Sequence, residues 1–135
     1  GQHRYQAHFH FDNKAEPTGE GRAWRYDTGV NAVQLAFVGG DGFTSARIPY
    51  RISRHYNQAE NALAVRAEIA GSGFASLFTV IALDPAGKAE PLTVEKHAVQ
   101  STFKGITFED RLIEAVTIGK GGRRYTIVVA HQEYA

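Results

Sequence analysis

The sequence predicts an all-β protein, an antiparallel β-sandwich, and three observations carry that expectation. Apolar and polar residues alternate with period two over ten separate segments, the stretches between them are clusters of Gly, Pro and Asn, and no segment carries a helical apolar spacing. Successive strand side chains point to opposite faces, so each segment can bury one face and expose the other. Many short strands without helices between them form sandwiches or barrels.

The elements follow in order. Arg4 to Asp12, "RYQAHFHFD", sets Tyr5, Ala7, Phe9 and Phe11 against Arg4, Gln6, His8, His10 and Asp12. After the separator "EPTGEG", Gly21 to Asp27 alternates Trp24 and Tyr26 with Arg25 and Asp27. Asn31 to Val38 supplies Val33, Leu35 and Phe37. Thr44 to Tyr56 is expected to turn Ile48, Tyr50 and Ile52 to the core and Arg51, Ser53 and His55 away from it. Ala62 to Ala70 brings Val65. "FASLFTVIAL", within Phe74 to Leu83, is apolar on both faces and predicts a strand covered from both sides, either central or overlaid by a partner domain. Pro91 to Val99, Ser101 to Phe108, Leu112 to Ile118 and Tyr125 to Gln132 complete the set. "GKGGRR" lacks the spacing and the following Ser or Thr of a phosphate loop, and predicts a hairpin turn between "AVTI" and "YTIVVA". The expected core gathers Phe9, Phe11, Trp24, Val33, Leu35, Phe37, Ile52, Val65, Phe78, Val80, Ile81 and Ile127.

Composition narrows the function. The 135 residues fit one domain, 1–135. Fifteen Lys and Arg against fourteen Asp and Glu leave no basic field, which argues against nucleic acid and anionic membrane as partners. With no cysteine, any metal has to be held by His, Asp or Glu. No apolar run approaches the roughly 20 residues that span a bilayer, and "GQHRYQ" has no signal-peptide centre, so a soluble segment is expected. A strand beginning almost at the first residue predicts a piece of a longer chain.

His10, Asp27 and His55 fall on the predicted non-core faces of three strand segments. Two imidazoles and one carboxylate are a common protein set for zinc. A polar stripe on half-exposed strands accounts for the same pattern without any metal. His3, His97 and His131 are expected to be surface or hydrogen-bonded groups, and Asp12 to open a turn. Cupins pair a strand His-x-His with a glutamate shortly after it, and here Lys14 and Ala15 occupy those positions.

Over most of its length the chain resembles the C-terminal β-sandwich of the heparinase II/III-like polysaccharide lyases. "GQHRYQAHFHF" is similar to the family's Gly-x-His-x-Tyr entry into a Phe-His strand, "GFTSARIPYRISRHYNQAENALAVRAE" to its Ser-x-x-Tyr segment, and "GFASLFTVIALDP" to its Thr-x-Leu-x-Pro strand. The resemblance implies His8 as an active-site histidine and His10, Asp27 and His55 as ligands of a structural zinc. The spacing from His10 to Asp27 suits the family pattern, while that to His55 is shorter.

It further implies cleavage of an acidic polysaccharide, a glycosaminoglycan or alginate, by β-elimination in a periplasmic or secreted bacterial protein. In these lyases an N-terminal helical toroid supplies the principal tyrosine and further histidine and asparagine groups. The chain by itself is therefore expected to be inactive. The alternative is a non-catalytic carbohydrate-binding or scaffold module, for which Trp24, Tyr26, Tyr50 and Tyr56 are the candidate stacking rings.

Overall fold

The computed structural model of the chain describes residues 1–131, and all of its helix-or-strand structure is strand. Two compact units can be distinguished, Gly1–Glu90 and Pro91–Ala135.

The first unit contains β1 (His3–His10), β2 (Thr18–Glu20), β3 (Ala23–Asp27), β4 (Asn31–Gly39), β5 (Thr44–His55), β6 (Gln58–Gly71) and β7 (Leu77–Pro85). They form two antiparallel sheets, β1-β6-β5 and β2-β3-β4-β7. The inner faces meet as alternation requires. Trp24, Leu35 and Phe37 come from one sheet and Val65 and Ala67 from the other, with Phe9, Phe11, Val33, Phe43 and Leu77 packed around them. Phe9 and Phe37 meet edge to face at 5.4 Å, and Phe11 stacks on Tyr26 at 4.7 Å. Val65, at 0% exposure, is the fully enclosed centre; removing such a side chain from water contributes roughly 1.5–3 kcal/mol. The Trp24 indole donates to Ser45 Oγ across the sandwich at 2.8 Å, so its buried N–H is satisfied. The β-sandwich read from the sequence is the architecture of this unit.

Three local features depart from the expectation. First, the separator "EPTGEG" contains β2, paired with β3. Gly19 permits it: its φ is 139°, and a Cβ there would lie 2.3 Å from the Ala23 carbonyl oxygen. Second, the faces of β5 are reversed. Ile48 and His10 both pair with Ala64, so Ile48, Tyr50 and Ile52 share the outer face with His8 and His10, while Ser45, Arg47, Pro49 and Arg51 share the side of Val65. Ile52 is accordingly half-buried on the outer face rather than placed in the core. Alternation separates two faces without saying which one is inward. Third, β7 is the edge strand of its sheet. Phe78 and Val80 are half-buried, while Ile81 and Leu83 lie on the same face as Leu35 and Val33 yet remain 55% and 71% exposed. β7 is therefore not a central strand, its far half is left uncovered by the described residues, and Ile81 is not a core residue of this chain.

The second unit contains β8 (Leu92–His97), β9 (Gln100–Phe103), β10 (Ile106–Glu109), β11 (Ile113–Lys120) and β12 (Arg123–Ala130). One sheet runs β12-β11-β8, and β9 and β10 form a hairpin. The expected single strand from Ser101 to Phe108 is thus two strands, folded at Lys104 and Gly105, whose φ values are 50° and 80°. Positive φ at both central residues is the requirement of the tightest hairpin turn, and Lys-Gly meets it less visibly than Asn-Gly. The glycines of "GKGGRR" close the β11-β12 hairpin as expected. β12 ends at Ala130, and Gln132, the expected end of that strand, lies outside the described residues. Central β11 buries Ala115, Val116, Glu114 and Thr117, whereas Ile127 on edge strand β12 is 46% exposed and is not core. Glu114 is held by Lys96 Nζ and, at 2.8 Å, by His131 Nε2.

Candidate functional site

The outer face of β1-β6-β5 carries the densest chemistry in the first unit. Register fixes its rows: His8 lies opposite Arg66, which lies opposite Ala46; His10 opposite Ala64 and Ile48; Gln6 opposite Glu68 and Thr44. His8 and His10 are exposed, with ring centroids 6.1 Å apart and their planes nearly perpendicular. His8 Nε2 sits 3.4 Å from Gln6 Oε1; Gln6 Nε2 donates to Glu68 Oε2 at 2.5 Å, and Arg4 reaches the other carboxylate oxygen at 3.4 Å. Glu68 is therefore already paired, and the imidazole of His8 and the guanidinium of Arg66 occupy adjacent cross-strand positions.

His10 packs against the Tyr50 ring at 4.6 Å. The Tyr50 hydroxyl donates to the carbonyl of Phe11, and the Tyr26 hydroxyl donates to that of Asp12 at 2.7 Å. Burial, with the Asp12 carboxylate as a second cause, raises both phenol pKa values above the ordinary tyrosine range, so both remain donors. The exit from β1 is thus tied to both sheets. Arg54 completes the tie by pairing with Asp12 and donating to Asn13 Oδ1 at 2.5 Å. Asp12 stands just before the turn at Asn13, as expected, with its carboxylate engaged by Arg54.

The expected zinc set does not come together. His10 projects from the outer face of one sheet; Asp27 alternates with inward Tyr26 and so projects from the outer face of the other, with the aromatic core between them. Sheets packed face to face are about 10 Å apart before side chains are added. Asp27 is moreover engaged, accepting the Gly29 amide and the Arg25 guanidinium, each at 2.9 Å; these bonds hold its carboxyl below the usual aspartate range. His55 pairs with Gln58, six residues along β6 from the Ala64 that pairs with His10, or roughly 20 Å of strand. A one-residue bulge between Ile52 and His55 shifts the register on the way. Among the described residues, no group of three His, Cys, Asp or Glu side chains is placed to hold a metal ion. These residues do not fit a zinc centre.

The remaining candidates also have places. His97 Nε2 meets Thr117 Oγ1 at 2.8 Å and His131 bonds Glu114, as hydrogen-bonded groups; His3 is exposed. Of the four possible stacking rings, Trp24 and Tyr26 are buried, Tyr50 is half-buried against His10, and Tyr56 stands 92% exposed in the β5-β6 turn. Sequence reasoning missed Arg66 and the Tyr50-His10 contact, because both depend on cross-strand register rather than on position along the chain. Comparisons with protein-family models, with curated proteins and with solved structures returned no match.

Proposed function

We propose that the chain is the sandwich component of a polysaccharide lyase acting by β-elimination, and that the outer face of β1-β6-β5 lines part of its cleft. The observation that carries the reading is the exposed His8 set cross-strand from Arg66. It is supported by the resemblance of "GQHRYQAHFHF", "GFTSARIPYRISRHYNQAENALAVRAE" and "GFASLFTVIALDP" to the heparinase II/III-like sandwich.

β-Elimination on a uronate removes the proton at C5, breaks the bond from C4 to the glycosidic oxygen, and leaves a C4–C5 double bond with a proton on the departing oxygen. The hard step is the first, since the C5 proton lies next to a carboxylate anion and its loss adds negative charge to the same group. A cation at that carboxylate stabilises the developing charge, the kind of electrostatic contribution that is commonly the largest in enzymes. Arg66 suits that role, because a guanidinium grips a carboxylate with two parallel hydrogen bonds. An imidazole can accept or donate a proton near neutral pH, which suits His8 for the proton transfer or for a hydrogen bond to the anion. The remaining acid-base group comes, in this reading, from a helical toroid of the same protein.

The test is the ultraviolet absorbance of the unsaturated uronate product, with heparan sulfate, hyaluronan and alginate as substrates. The 135-residue chain alone is expected to give no turnover. Joined to its toroid it cleaves one of the three, and His8→Ala lowers that rate by about a hundredfold or more. A neutral-glycan binder with no uronate activity in the longer protein would favour the non-catalytic module instead.

A further inference from the structure

The second unit carries a groove of about 620 Å³ on the face of β12-β11-β8 that holds Thr117 and Gly119. Its floor is central strand β11. Gly119 pairs with Thr93 on one side and Arg124 on the other, and Thr117 pairs with Glu95. Gly119 leaves room for the Thr93 side chain on the floor: a Cβ there would lie 2.5 Å from Thr93 Oγ1, which reaches the Gly119 carbonyl at 3.4 Å. The φ of Gly119 lies outside the left-handed region, so space rather than backbone conformation calls for glycine. Arg123 and Arg124, both exposed, join the turn glycines at one end with Thr93 across β11 from Arg124, while Glu95 and Thr117 form the next row.

The two ends ask for different chemistry in one ligand. Guanidinium groups at the turn end match a carboxylate or sulfate. The Glu95 carboxylate one row on, with the Thr93 hydroxyl across β11 from Arg124, matches alcohol O–H groups, since Glu95 only accepts when ionised and threonine both donates and accepts. Two residues along a strand separate the Arg124 and Glu95 rows by about 7 Å, and the strands flanking β11 are about 10 Å apart, dimensions that admit a pyranose ring. A nucleic acid offers no ring of vicinal hydroxyls for Glu95 and would place a phosphate against that carboxylate instead.

We infer that this groove is a subsite for an anionic pyranose, a uronate or sulfated sugar residue of an oligosaccharide, with Arg124 holding the anionic group and Glu95 and Thr93 the hydroxyls. The assignment stands on the groove's own chemistry; only its service to a depolymerising enzyme rests on the lyase reading.

Isothermal titration of the 135-residue chain tests it, with an alginate hexasaccharide as the carboxylate probe, a carrageenan hexasaccharide as the sulfate probe, cellohexaose as the neutral control and a thymidine oligonucleotide as the non-sugar polyanion. At least one anionic sugar is expected to bind, identifying the preferred group, with cellohexaose and the oligonucleotide at least tenfold weaker. Arg124→Gln, an exposed substitution, should weaken that binding about tenfold. Gly119→Ala, which displaces the Thr93 hydroxyl and leaves every cation in place, should weaken it severalfold, with an unchanged circular-dichroism spectrum as the folding control for both variants. Dependence of binding on Arg124, read without any turnover, separates this result from the elimination assay, which reads His8. Binding of neither anionic sugar, equal binding of the oligonucleotide or of cellohexaose, or affinity indifferent to Arg124→Gln in a folded variant would overturn the assignment.

Discussion

Tyr26 and Tyr50 come from opposite sheets and donate to the neighbouring carbonyls of Asp12 and Phe11, which ties the exit from β1, next to His10, to both sheets. Replacing either tyrosine by Phe should cost about 1 kcal/mol in urea unfolding, since each change orphans a carbonyl. Because both bonds hold one segment, the double variant should depart from additivity. The raised phenol pKa values give this stabilisation a sign: it is fully present below the unfolded tyrosine value near 10 and is lost as pH rises through the folded one. Wild type and Tyr26→Phe should therefore converge in stability at strongly alkaline pH. Asp27 behaves in the opposite sense. Its carboxyl is held low by the Gly29 amide and then by Arg25, so its contribution is present above the unfolded value near 3.9 and disappears as pH falls through the folded one. Asp27→Asn should be less stable than wild type at pH 7 and indistinguishable from it at strongly acid pH, as read by urea melts at the two values. At this scale the sequence was partly legible: the alternation of Trp24 and Tyr26 with Arg25 and Asp27 is the observed burial pattern. Convergence of His10, Asp27 and His55 was not legible, because a shared non-core face on each strand says nothing about which sheet that face belongs to.

Strand existence was readable wherever alternation persisted, and turns were readable where glycine stood in a familiar pair. Two of the misses share one cause, chain reversals with weak signals. Lys104-Gly105 folds a single apparent strand into β9 and β10, and Gly19 admits β2 inside an apparent loop. Lys104→Asn should raise the stability of the β9-β10 hairpin by about 0.5 kcal/mol, because asparagine tolerates the left-handed conformation better than lysine. Gly19→Ala should cost at least about 2 kcal/mol and unprotect the β2 amides in hydrogen exchange, since both the backbone angle and the Ala23 carbonyl forbid a side chain. A Gly19→Ala protein as stable as wild type would show that the tight β2-β3 approach is unimportant. The face reversal of β5 was beyond sequence reasoning for a different reason. Ile48, Tyr50 and Ile52 are apolar, and only pairing through β6 shows that they stand with His8 and His10 rather than with Val65.

For the molecule as a whole, near-neutral charge, an all-β build and a histidine-arginine pair on an exposed sheet face are the features any account of function has to use. The central claim is that this face serves β-elimination on a uronate. The most direct measurement is the rate of unsaturated-uronate formation by the sandwich joined to the helical toroid that the proposed lyase calls for, compared among wild type, His8→Ala and Arg66→Gln. Each substitution should lower kcat/KM by about a hundredfold or more without changing the melting temperature, and Arg66→Gln should lose less on a substrate whose carboxylate is esterified, because there is no charge left to neutralise. Wild-type rates in both variants, or no cleavage of any uronate by the joined protein, would contradict the claim.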